Sequence, residues 1–288
     1  MKKNVLGVSA VLTVFLAMGC SKTVNLVSTS SPVDNSAYIG AMINESKGFV
    51  VGAYGTVHYT EDGGQTWQDG VNKSACLFSM QAIDENTCIA SGYGNTVIQT
   101  TDGGKTWTHK KALPGMKSKG LSFINTDTGW DWTKMELYQL AGENPAWSTI
   151  PRPEGSSVIE GACMVGIGEG WLCDAKGDLY FTNDAGNTWA KKVHLFDKEG
   201  DEFIPLTATP HPCTVIYVKD NSVTAVTAGS VGNKSALKIS YSNDNGETWS
   251  TCPISYIDEK PLSLNFTLDG RLAIFNMDAA LSMYTLKI

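Results

Sequence analysis

One eight-residue phrase recurs along the chain and constrains its fold more than any other feature. It reads Thr60-Glu61-Asp62-Gly63-Gly64-Gln65-Thr66-Trp67, then Thr101-Asp102-Gly103-Gly104-Lys105-Thr106-Trp107. It returns as Thr182-Asn183-Asp184-Ala185-Gly186-Asn187-Thr188-Trp189 and as Ser242-Asn243-Asp244-Asn245-Gly246-Glu247-Thr248-Trp249. The shared core is Asp-x-Gly-x-Thr-Trp. Trp67 to Trp107 is 40 residues, Trp107 to Trp147 another 40, and Trp147 to Trp189 42. The segment ahead of Trp147 has lost the phrase and kept the tryptophan. The last interval, Trp189 to Trp249, is 60 residues.

Each phrase closes a unit of short apolar runs broken by glycine turns. Gly48 to Val57, Ser91 to Val97 and Gly170 to Leu179 each read as strand, turn, strand, and a further apolar run precedes each of them. Turn signals every eight to twelve residues with no helical periodicity point to four short strands per unit. A four-stranded unit of 40 residues in tandem predicts an all-β propeller. The blades fall at about 36–74, 75–115, 116–155, 156–196 and 197–257. The tail offers three strands, and Val24 to Thr29 supplies a fourth that joins the two ends of the chain. Six blades are expected, with seven the alternative if the 60-residue interval folds unusually. Residues 36–288 then form a single propeller domain.

The phrase itself is turn chemistry. Asp accepts backbone N–H bonds, Gly supplies a positive-φ corner, Thr closes the turn and Trp starts the next strand with a large apolar face. Asp62, Gly64, Thr66 and Trp67 are therefore structural, as are Asp102, Gly104, Thr106 and Trp107. The same holds for Asp184, Gly186, Thr188 and Trp189, and for Asp244, Gly246, Thr248 and Trp249.

The phrases resemble the Asp-box (BNR) repeats of sialidases and sortilin-type propellers. The fuller pattern around residues 48–67 and 87–107 looks closer to propellers of the photosystem II assembly/stability factor-like family. That resemblance implies a non-catalytic assembly aid, although no basic face of the kind used by photosynthetic members is evident in this sequence. A sialidase needs three arginines around its substrate carboxylate, and this chain has only Arg152 and Arg271. Lysine does not reproduce their bidentate geometry, so that activity is excluded.

The first residues read as a targeting segment. Lys2 and Lys3 precede an apolar stretch from Val5 to Ala17, which ends in Leu16-Ala17-Met18-Gly19-Cys20. This resembles a bacterial lipobox, so residues 1–19 are expected to be a signal peptide, Cys20 the lipidated residue, and 20–35 a tether with the closing strand. Ser21 carries no inner-membrane retention signal. The expected location is the cell envelope, anchored by lipid, at the periplasmic or outer face of the outer membrane in a Gram-negative cell.

Removing residues 1–19 takes away two lysines and no acid, so the mature charge is 20 − 29 = −9. A nucleic-acid partner is excluded, because there is no basic surface to displace phosphate counterions. Six cysteines remain after Cys20. Cys163 and Cys173 flank Gly168-Glu169-Gly170 almost symmetrically, and an antiparallel hairpin would set them nearly opposite as a candidate disulfide. The four histidines share no metal spacing, and no serine-nucleophile elbow is present. Gly229 to Ser235 lacks the helix a phosphate loop requires. Asp197 to Glu202 reads as an acidic solvent loop. No metal, cofactor or catalytic residue is assigned.

The candidates for function lie where the repeat departs from itself. In Gly129-Trp130-Asp131-Trp132, Asp131 and Trp132 stand where another unit has two valines, offering a carboxylate and aromatic wall near the ring centre. The turns between second and third strands project on one face, where Tyr54, Tyr93, Lys134, Asp174 and Lys176 form an aromatic and charged rim. The preferred function is a non-enzymatic scaffold binding an envelope protein. The alternative is a glycan-binding or glycoside-hydrolase-like propeller, which would show two carboxylates about 5–10 Å apart in the central channel.

Overall fold

The computed structural model describes residues 26–28, 37–44, 46–70, 75–110, 117–143, 145–196, 202–206, 213–258, 260–276, 281–284 and 286. It is a six-bladed propeller of antiparallel sheets. Blade 1 runs Ala37–Met42, Gly48–Gly52, Val57–Thr60 and Gln68–Asp69. Blade 2 runs from Leu77–Ala82 to Thr108–His109, blade 3 from Gly120–Asn125 to Ala146–Ile150, and blade 4 from Ile159–Met164 to Ala190–His194. In blade 6, Leu26–Ser28 pairs antiparallel with Leu281–Tyr284 and stands fourth beside Leu272–Asn276 and Pro261–Phe266.

The 60-residue interval is one elaborated blade and not an extra one. In blade 5 the central hairpin is long, Ser222–Val231 against Lys234–Ser242. Its projecting end is flanked by Phe203–Pro205 on one side and Ser255–Ile257 on the other. Both added strands come from the connections before and after the blade, which accounts for the extra residues while the ring count stays at six.

The repeated phrase folds four times in the same way. Asp62 Oδ1 accepts from the Thr66 amide at 2.9 Å and from the Thr60 hydroxyl at 2.8 Å. Its Oδ2 accepts from the Thr66 hydroxyl at 2.5 Å, and Thr60 Oγ1 in turn accepts from the Gly64 amide at 2.9 Å. The same four bonds recur around Asp102, Asp184 and Asp244. Thr100 thus completes the second box from a position one residue before the aligned phrase. These donors hold the Asp62 and Asp244 carboxyls down at about 2.

The box also joins blades. The Trp107 indole meets Phe49 of the preceding blade edge-on at 6.2 Å, Trp189 meets Trp130 at 5.8 Å, and Trp249 meets Trp171 at 5.9 Å. The box glycine makes room for the same ring: a Cβ on Gly104 would lie 2.7 Å from Phe49, and one on Gly246 2.2 Å from Trp171. Blade 2 carries Ile89 at this place and the following blade 3 has lost its box, whereas blade 6 carries Ala273 and the following blade 1 keeps its box, with Trp67 packed on Ala273 and Phe275. Trp107→Ala is expected to cost about 3–5 kcal/mol, the usual range for a buried large aromatic. A wild-type denaturation midpoint for that variant would contradict the wedge role.

Inner strands of neighbouring blades diverge too far for a backbone ladder, so polar side chains bridge them. Gln81 accepts from the Phe123 amide at 2.7 Å and donates to the Phe123 carbonyl at 3.1 Å. Ser79 accepts from Leu121 and Ser122 accepts from Met164, while Asn265 of blade 6 donates past blade 1 to the Met80 carbonyl of blade 2. The hydroxyls and amides that face the channel are therefore engaged in holding the ring.

Cys163 and Cys173 do not form the expected bridge. The hairpin is present, but Cys163 pairs with Trp171 and Cys173 with Gly161, which sets the two cysteines diagonally on one face. Diagonal neighbours stand about 7–8 Å apart, beyond disulfide reach. Both are free thiols.

Candidate functional site

A propeller has two ends, and this one uses them differently. The first-to-second-strand turns and the Asp-boxes share one end, as the bond from the Gly63 amide to the Ser46 carbonyl shows for blade 1. The second-to-third-strand turns occupy the other end. There Tyr54 is 89% exposed, and its φ of 52° is unusual for a residue with a side chain. Tyr93 and Met135 are also exposed, at 52% and 55%. Lys134 and Lys176 are exposed beside them.

At blade 3 this end opens into a cavity of about 240 Å³, lined by Lys117, Ser118, Lys119, Thr133, Lys134, Met135 and Glu136. Its floor is positioned by backbone pairing. Tyr93 bridges to Lys117, the Ser118 amide donates to the Gly92 carbonyl, and the Lys119 amide donates to the Trp132 carbonyl at 2.7 Å. Lys117 reaches over the Phe78 ring at 5.3 Å. Sequence reasoning did not single out Lys117, Lys119 or Met135. The run Met116-Lys117-Ser118-Lys119 was the available signal.

Two buried polar groups sit below that floor. Lys119 Nζ meets Glu160 Oε2 at 2.5 Å with the two side chains only 3% and 2% exposed. Glu160 reaches inward at a register irregularity between Ile159 and Gly161, and its Oε1 has no protein partner. Burial pushes the Glu160 carboxyl up, and the Lys119 ammonium opposes the shift. On the other side, Asp131 Oδ2 accepts from Ser118 at 2.9 Å, and the Ser118 and Ser91 hydroxyls lie 2.7 Å apart. Asp131 Oδ1 has no partner, and burial pushes this carboxyl up to about 8.

The expected wall of Asp131 and Trp132 is not formed. Successive residues of a strand face opposite sides of the sheet. Trp132 lines the central channel over Gly120, whereas Asp131 turns into the seam between blades 2 and 3. Asp174 leaves the rim as well. It is buried, and its oxygens accept from the amides of Ser157, Lys176 and Asp178 at 2.8 to 3.0 Å, so it shapes the turn. Tyr54, Tyr93, Lys134 and Lys176 remain exposed at one end of the ring, on blades 1, 2, 3 and 4 in turn.

The channel encloses about 230 Å³, and Ser79, Gln81, Ser122, Thr214, Asn265 and Thr267 alternate there with apolar residues such as Ile39, Leu121 and Leu264. Among the described residues that line it there is no Asp or Glu. The carboxylate pair that the glycosidase alternative requires is not found there.

Residues 21–117 match the family described as Photosynthesis system II assembly factor YCF48, and residues 240–251 match the BNR/Asp-box repeat. The protein is an Asp-box propeller resembling the YCF48 family. No curated protein matches the chain. A solved structure described as "YCF48 bound to D1 peptide" is 15% identical, with 92% of this chain and 97% of that one covered and a TM-score of 0.55. YCF48 from Cyanidioschyzon merolae is 14% identical, with coverage of 90% and 98% and a TM-score of 0.52. A streptogramin B lyase is 12% identical, with coverage of 94% and 100% and a TM-score of 0.55. At such identities the likeness is one of fold. That an enzyme shares it shows why the Asp-box propeller must be read from its own surface.

Proposed function

We propose that this propeller is a non-enzymatic scaffold of the cell envelope, anchored by lipid at Cys20, that holds a protein partner on its non-Asp-box end. One observation carries the reading. Exposed Tyr54, Tyr93 and Met135 lie at one end of the propeller with Lys117 and Lys134, and a cavity large enough for one or two side chains opens there among Met135 and the two lysines. Exposed aromatic residues and methionine are the composition typical of a protein-binding patch, and the lysines beside Met135 stand out on a mature chain that is otherwise acidic. The YCF48-like resemblance supports an assembly role, the D1 peptide named for one such solved structure supports a peptide segment as the form the partner takes, and Lys117 and Lys134 favour an acidic one.

Lys117→Glu with Lys134→Glu, or Tyr93→Ala alone, is expected to weaken partner capture. A central aromatic contributes about 2 kcal/mol, roughly thirtyfold in Kd. Crosslinked purification from membranes should recover the same species with wild type and with Lys105→Glu on the opposite end, and lose it with the charge reversals. Saccharide binding on a glycan array, with no crosslinked protein, would instead establish the glycan alternative. Cys20 lies outside the described residues. Its lipidation is tested by palmitate labelling, and Cys20→Ser should move the protein into the soluble fraction.

A further inference from the structure

We infer that the lipid tether fixes which end of the propeller meets the bilayer: the edge of blade 6 at the Asp-box end lies against the lipid headgroups, and the Tyr54–Tyr93 end points away. The inference rests on the proposed lipidation of Cys20. Its other support is the register of one short strand. Leu26 pairs with Tyr284, Tyr284 with Leu272, and Leu272 with Phe266, immediately before the turn at Thr267–Gly270. Leu26 therefore stands at the Asp-box end of the ring, on the outermost strand of blade 6.

Cys20 and Leu26 are six residue steps apart. Even fully extended, that leash reaches only about 20–22 Å at ~3.3–3.6 Å per residue. The blade itself is nearly as tall. Leu272–Asn276 has five residues, about 17 Å at ~3.4 Å per residue, before the turns at either end are added. Laying the opposite end on the membrane would lift Leu26 by that height plus a turn and stretch the leash to its limit. Edge-down placement leaves the leash slack. It also keeps Asp62, Asp102, Asp184 and Asp244, which share the Asp-box end, from lying flat against anionic headgroups.

The test uses the full chain in vesicles that contain a headgroup-nitroxide lipid. A bimane label is placed at Leu268→Cys, exposed at the Asp-box end of blade 6, or at Tyr54→Cys on the other end. The label at position 268, three strands in from the outer edge, should lose clearly more of its emission than the label at position 54. Inserting a long Gly/Ser segment after Lys22 should erase the difference. Equal quenching at both positions, or stronger quenching at position 54 as a lysine-bearing end resting on anionic lipid would give, overturns the orientation while leaving the anchor intact. Absence of palmitate from the wild-type chain overturns the anchor, and the orientation with it.

Discussion

Lys119→Ala is expected to destabilise the propeller by about 3–5 kcal/mol, the range for removing one member of a buried ion pair. Lys119 and Glu160 are both almost wholly withdrawn from solvent, and Glu160 has one oxygen without a partner even when the pair is intact. Without the ammonium, the carboxylate must be protonated or must open the seam between blades 3 and 4 to water. The cost belongs to the stranded charge and not to the bond, so Lys119→Met with Glu160→Gln should recover most of the loss. Urea denaturation of the two variants and wild type gives the comparison. A single variant within about 1 kcal/mol of wild type would mean that the pair is far better hydrated than its burial indicates.

The second large effect is a pH profile. The Asp131 carboxyl is raised to about 8 in the folded chain by burial, against an ordinary value of about 3.9 when unfolded. The folded state therefore keeps a proton that the unfolded state releases. The associated stability is fully present below about pH 4 and is lost progressively as pH rises toward about 8. At ~1.4 kcal/mol per unit, the window is worth up to about 6 kcal/mol. Asp131→Asn removes the titration and keeps the shape. Its denaturation midpoint should change much less than that of wild type between pH 5 and 9. Parallel profiles would show that Asp131 is not the group responsible. Glu160, also raised, contributes in the same direction, so the difference between the two proteins is the quantity to read.

The architecture was legible because one physical device repeats. Box turns at blade spacing give the ring, and Trp147 keeps the period where the box is gone. The six-blade count depended on the 60-residue interval, whose meaning lies in Phe203–Pro205 and Ser255–Ile257 pairing with a hairpin far from them in sequence. Such pairings leave no local pattern.

The site was legible only in part, for the same reason. Tyr54, Tyr93 and Lys134 sit in turns that the repeat itself locates, and they do share one end of the ring. Asp131 and Trp132 are adjacent in sequence, yet the pleat sends them to opposite sides of the sheet. Glu160 is invisible as a functional neighbour of Lys119 because 41 residues separate them and a register irregularity turns it inward. The symmetric spacing of Cys163 and Cys173 promised a bridge that a two-residue offset of the ladder prevents.

The aromatic that three of the four boxes receive from the preceding blade has a consequence for how such a ring comes apart. Blades that interlock through a tryptophan and a ring across the joint share their fate, whereas the joint between blades 2 and 3 packs the aliphatic Ile83, Ile89 and Val97 against Phe123 and Trp147 and adds the Ser79 and Gln81 bonds. That joint lacks the interlock, so amide protons there are expected to exchange before those at the tryptophan-clasped joints. It also contains Ser91, Ser118 and Asp131, beneath the cavity proposed to receive a partner. A guest seated there braces this joint, so occupancy would register as resistance to its opening.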